Sequence, residues 1–145
     1  MIKFEAARAA VSMVLGSEMG FISKNKGLYL FAPSNRENTL VKMTDTTAII
    51  SQPFKGKNED ISNQVFMLAL EFEKLLRGST SQLMEAYSKY AMDVAYCAFH
   101  NDEKSAGGEI EVLTMLADEL IGRGIPEEVL DDLECDADNS VALAV

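Results

Sequence analysis

The amino-acid sequence predicts an α+β fold: an N-terminal helix, a small antiparallel β meander of three to four strands, then three to four antiparallel helices. Three patterns lead there. Apolar residues recur at helical spacing in the first fifteen positions, residues 20–53 break into short β-prone runs divided by turn residues, and helical spacing returns after residue 59. Strands and helices segregated along a chain make an α+β layout, in which the sheet buries one face against helices.

A chain of 145 residues has the length of one domain, and about 70% of its unfolded surface is buried on folding. The expected organisation is a single unit over 1–145, with helix and meander in 1–58, a helical part in 59–135 and a tail in 136–145. The 48% hydrophobic and 25% charged content is that of a folded globular chain rather than a disordered one.

The first helix runs from Ile2 to about Leu15. Glu5, Arg8 and Ser12 form its polar side, and Phe4, Ala7, Val11, Val14 and Leu15 its apolar side. Gly16 and Gly20 are both candidate stops. Strands follow in FIS, LYLFA, LVKM and TAIIS, separated by KNKG, PSNREN and TDT, whose Gly, Pro, Asn, Asp and Ser suit turns. PFKGKNED connects the sheet to the helices.

The stripe Ile61, Val65, Leu68, Phe72, Leu75 and Leu76 marks the second helix, with Asp60 or Ser62 as its N-cap and Gly78 as its end. Ser79 and Gln82 have the spacing of a capping box and open a third, through Leu83, Tyr87, Tyr90, Ala91, Val94 and Ala98. A fourth covers about 108–121, with Ile110, Leu113, Leu116 and Leu120 on one face. Pro126, followed by two glutamates that suit a positive helix start, opens a short last helix with Val129, Leu130 and Leu133 inward.

Two cysteines, Cys97 and Cys135, are too few for a disulfide framework, and Glu5 and Arg8 interrupt what a signal peptide needs. No apolar run approaches membrane-spanning length. A soluble chain in a reducing cytoplasm is the expectation, with no membrane partner.

The net charge of −10 is unevenly placed: residues 1–19 sum to 0, residues 20–58 to +4, residues 59–100 to −3 and residues 101–145 to −11. Seven carboxylates fall within twelve residues: Glu127, Glu128, Asp131, Asp132, Glu134, Asp136 and Asp138. A charge needed only for solubility can be spread evenly, whereas concentrating it raises like-charge repulsion. The expected role is a partner-binding surface for a basic protein, with Leu130 or Leu133 adding apolar contact where exposed. Its most specific form is mimicry of nucleic acid against the Lys and Arg side chains that normally neutralise phosphates, as in a phage-type inhibitor of a nucleic-acid-binding complex. The plainer reading is a solvated helix face and tail. The terminal VALAV then packs on its own fold, adds an edge strand or inserts into a partner.

Direct nucleic-acid binding is not expected. Lys24, Lys26, Lys55 and Lys57 lie in predicted loops with Phe54 beside one pair, whereas single-strand binders combine a larger positive groove with exposed aromatics. Catalysis and cofactors are not expected either. Tyr90, Asp93, Cys97 and His100, spaced 3, 4 and 3, share one helical stripe, so a small metalloprotein or enzyme built on Asp93, Cys97 and His100, with Cys135 or Glu134 as a fourth ligand, is the alternative. CAFH stands alone without a second close-spaced ligand pair, and Asp93 does not favour a thiolate. Asp136, Asp138 and Ser140 alternate like the opening of a calcium loop, but Val141 stands where such a loop needs glycine. Glu71 and Glu73 point to different sides of their helix, and Glu73 with Arg77 reads as a surface ion pair. Met13, Met67, Met84, Met92 and Met115 either fill core gaps or coat a binding groove. A homodimer or larger structural oligomer, paired through the helical stripes, is a third reading.

Overall fold

A computed structural model describes residues 2–16, 19–25, 28–33, 39–51, 58–100 and 107–144. The order of elements is α1 (Phe4–Leu15), β1 (Met19–Asn25), β2 (Leu28–Pro33), β3 (Leu40–Met43), β4 (Ala48–Ser51), α2 (Asn58–Leu76), α3 (Thr80–Phe99), α4 (Gly107–Gly122) and α5 (Glu127–Ala144). The α+β layout is the one the sequence predicts, with four strands in the meander and four helices after it.

Helix α1 is rich in alanine, the residue with the least helix-forming penalty. Gly16 ends it in the left-handed region at φ 62°, with its N–H returned to the Ser12 carbonyl. Gly20 lies inside β1 instead. The expected polar side is corrected at Ser12, which is wholly buried together with Ala6, Ala7, Ala9, Ala10 and Val11. The cause is packing: α1 lies centrally, contacted by the sheet, α2 and α4. Small side chains permit that crowding. At Gly108 an added Cβ would come within 2.7 Å of the Met13 Cα, so α4 can cross α1 there only with glycine. Arg8 is half-buried at this crossing, and its guanidinium pairs with Glu111 at 3.0 Å.

The four strands pair antiparallel in the order β1-β2-β3-β4. The register aligns Phe31 with Val41 and Val41 with Ile50, which places these three buried side chains on the face toward α1. Leu40, Lys42 and Ile49 alternate to the other face and are exposed. Phe4 of α1 stacks on Phe31 at 5.7 Å and meets the edge of Tyr29 at 5.5 Å. A shift in register between Met19 and Phe21 admits Pro33 at the end of β2.

Helix α2 begins earlier than its apolar stripe suggests, so neither Asp60 nor Ser62 is its cap. Ser62 is buried within the helix, and its hydroxyl accepts the Ile50 N–H of strand β4 at 3.2 Å. Glu73 is a further correction. Instead of a surface pair, it is a buried carboxylate that accepts the Lys3 N–H at 2.9 Å, at the start of α1, and holds Arg77 at 3.2 Å. A carboxylate at a helix start answers the unpaired N–H groups and the positive end of the dipole. Glu71, as expected, faces the other way and is exposed.

The predicted capping box opens α3: Gln82 N–H donates to Ser79 Oγ at 3.1 Å, and Ser79 N–H to Gln82 Oε1 at 2.9 Å. Arg123, just after α4, donates to the carbonyls of Leu76 at 2.7 Å and Gly78 at 2.8 Å. It thereby ties the α2–α3 turn to the end of α4. Helix α5 is not short and has no loose tail over 136–144: it continues through Ala144, which also removes the edge-strand reading of VALAV. Its later turns are anchored by Ala137 and Val141 against Ala91 and Ala95 of α3, a small cluster beside the main core. Among the described residues, no helix is long and apolar enough to cross a membrane.

Candidate functional site

The last third of the chain is built on α3 as a floor. The turn before α5 contains Gly124 at φ 96°, a conformation that favours glycine, and the Ile125 N–H returns to the Leu120 carbonyl. Pro126 precedes the first residue of α5 and its carbonyl accepts the Val129 N–H at 3.1 Å. Glu127 and Glu128 then occupy the first turn, where negative charge suits the helix start. Leu130, Ala137 and Val141 are buried and Leu133 partly so, at spacings of three and four, which directs this stripe inward.

The carboxylates of α5 consequently lie outward of that stripe. All seven predicted partner-binding residues, Glu127, Glu128, Asp131, Asp132, Glu134, Asp136 and Asp138, are exposed on one continuous helix. Among the described residues none of them forms a salt bridge, and α5 contains no Lys, Arg or His. One is tied down: Glu134 accepts a short hydrogen bond from the Tyr87 hydroxyl of α3. Burial of the phenol, that hydrogen bond and the nearby charges of Glu134 and Asp131 all push the Tyr87 pKa far above its ordinary value. Tyr90 is raised as well, first by burial and then by Asp93, Glu109 and Glu71.

Helices α4 and α5 both lie along α3 but scarcely touch each other. Between them runs a groove of about 490 Å³. Its apolar lining comes from Ala91, Val94 and Ala95 of α3 and from Ile110, Leu113, Ala117 and Ile121 of α4. Asp118, Glu127, Glu134 and Asp138 line it too, and among the described residues no Lys, Arg or His does. Ile110 and Ile121 are each 43% exposed, so a substantial apolar area is left open to water.

This groove was not legible as a site, because its lining reads as ordinary core stripes. One signal does mark it. Helix α4 carries Ile110, Val112, Leu113, Met115, Leu116, Ala117, Leu120 and Ile121 over most of its circumference, with Glu111, Thr114 and Asp118 on the remaining strip. A helix apolar over so wide an arc has more than one neighbour to satisfy; α1 and α3 take two of its faces, and part of the arc borders the groove.

The Tyr90, Asp93, Cys97 and His100 stripe is laid out along α3 as its spacing implies. Tyr90 packs against the core, Asp93 is exposed, Cys97 is partly buried and His100 is the exposed C-cap, its ring against Tyr96 at 4.4 Å and Phe99 at 5.6 Å. Cys135 is exposed on α5. Among the described residues, no group of three His, Cys, Asp or Glu side chains converges as a metal site would require. Asp136, Asp138 and Ser140 are helical, so the calcium-loop likeness ends there. Met115 is buried, Met13 and Met84 pack partly buried on the core, and Met67 and Met92 are exposed. Lys24 sits 4.7 Å over the Phe4 ring, while Lys26, Phe54, Lys55 and Lys57 lie outside the described residues. Compared with protein families, characterised proteins and solved structures, the chain shows no significant match.

Proposed function

We propose that this protein is a non-enzymatic interaction module, an inhibitor, adaptor or chaperone, whose acidic C-terminal third docks on a basic protein surface. The observation that carries this reading is the outward array on α5: seven exposed carboxylates without an ion pair among the described residues. Leaving them unpaired keeps their full repulsion in the free protein and makes it available for relief by a cationic partner.

Linear charge density favours the nucleic-acid-mimic form. Twelve helical residues span about 18 Å, so seven charges give one per about 2.6 Å of axis, against about 1.7 Å for duplex DNA. An array this dense engages Lys and Arg side chains otherwise occupied by phosphates. Steering by such a field accelerates encounter and weakens steeply with salt. The module then acts by occupying the cationic site, with no bond made or broken.

The test is affinity capture from a cell extract at low and high salt, with a variant in which Glu127, Glu128, Asp131, Asp132, Asp136 and Asp138 become Gln or Asn. Glu134 is left intact to preserve its bond to Tyr87. The expected outcome is a basic partner held by the natural protein, released by salt, lost by the variant and displaced by DNA in competition. Equal capture by both proteins would refute a role for the acidic face.

A further inference from the structure

The groove between α4 and α5 has a shape and chemistry that the acidic array alone does not explain. On α4 its lining residues recur at Ile110, Leu113, Thr114, Ala117, Asp118 and Ile121, three turns of one helical face. On α5 the lining carboxylates Glu127, Glu134 and Asp138 cover the same length. Both walls therefore run for about 16 Å, at 1.5 Å rise per residue. An elongated apolar trough with two helical walls is suited to a third helix. A neutral occupant would leave four lining carboxylates unanswered, and a second copy of this chain would set its own acidic α5 against them.

We infer that the groove receives an amphipathic helix of a partner protein, about three turns long, whose apolar stripe seats on Ile110, Leu113, Ala117 and Ile121 while flanking Lys and Arg side chains meet Asp118, Glu127, Glu134 and Asp138. This rests on the acidic-docking reading and adds to it the identity of what docks: a basic helix rather than any basic surface. Apolar seating supplies the holding contact, and the carboxylates select charge and orientation. Two exposed isoleucines at opposite ends of one wall fix the register, since a helical occupant presents apolar residues at i, i+3, i+4 and i+7. Glu134 is held toward α3 by Tyr87, so that carboxylate is positioned before the partner arrives.

The experiment measures fluorescence anisotropy of two labelled peptides of identical Leu and Lys composition, one with the leucines on a single helical face and one scrambled. The intact protein is expected to bind the amphipathic peptide about tenfold more tightly than the scrambled one. Ile110→Ala with Ile121→Ala is expected to remove most of that preference, and Ala117→Leu, which fills the trough without deleting core, to do the same. Met92→Ser, exposed on α3 but outside the groove, is expected to leave it unchanged. Circular dichroism melts confirm that each variant is folded. Equal affinity for both peptides, abolished in the six-carboxylate variant, would overturn the groove and leave charge docking intact. Binding of neither peptide would overturn the groove as well, with the salt-dependent capture deciding the broader reading separately.

Discussion

Glu111 and Glu119 of α4 and the carboxylates of α5 are the same chemical groups put to opposite uses. On α4, Glu111 pairs with Arg8 at 3.0 Å, and Glu119 holds Arg123 at 3.1 Å with Lys3 at 3.8 Å. Glu73 of α2 belongs with them, being buried against the start of α1. On α5 seven carboxylates point outward, and only Glu134 has a hydrogen-bond partner among the described residues. Acids that sit where helices meet are used to join elements. Acids that sit where nothing meets them make a field instead, and the difference lies in placement rather than in residue type.

Removing a joining acid is the harshest way to break that contrast. Glu73→Ala leaves the Lys3 N–H and Arg77 without their buried acceptor and is expected to cost about 2 kcal/mol, the range for a charge-assisted buried hydrogen bond. Urea unfolding with an unchanged slope would register it; a loss below about 0.5 kcal/mol would put Glu73 with the outward acids.

Tyr87 and Glu134 sharpen the contrast at its exception. The Tyr87 pKa is raised from its ordinary 10.0, so the folded state keeps the phenol proton after the unfolded chain has lost it. Stability from this source is fully present below the ordinary value and falls as pH rises beyond it. Unfolding free energies compared between the natural protein and Tyr87→Phe should therefore diverge above about pH 10, with the variant declining less steeply. Parallel curves through that range would mean that the phenol ionises in the folded state as freely as in the unfolded one.

The smallest effect is expected where the charge is greatest. Neutralising the six α5 carboxylates should leave the protein as stable as before or slightly more so, and the gain should shrink with added salt as screening removes the repulsion. A clear loss of stability in thermal melts would show that these acids hold the fold together and would erase the distinction from α4.

Much of the architecture follows from periodicity. Four strands lie where FIS, LYLFA, LVKM and TAIIS place them, and the Ser79–Gln82 capping box is formed. Hydrophobic spacing and cap chemistry act over a few residues, so a linear sequence displays them. Ser12, Ser62 and Glu73 depart from their local patterns because each polar side chain is buried by a different element: Ser12 beside α4, Ser62 against β4 and Glu73 at the start of α1. Glu73 answers Lys3 seventy residues earlier, and no local pattern encodes that meeting. The acidic array was visible at once because it is contiguous. The groove was hidden because its two walls and floor come from three helices whose spacing off one another is a tertiary fact.

The central position of α1 has a kinetic consequence. Its alanine-lined surface is completed by α4, far downstream, through the Gly108 crossing and the Arg8–Glu111 pair, whose partners are 103 residues apart. An emerging chain therefore holds α1 partly uncovered until α4 has been made. Contacts so distant along the chain slow two-state folding, and the interval exposes apolar surface to neighbouring nascent chains.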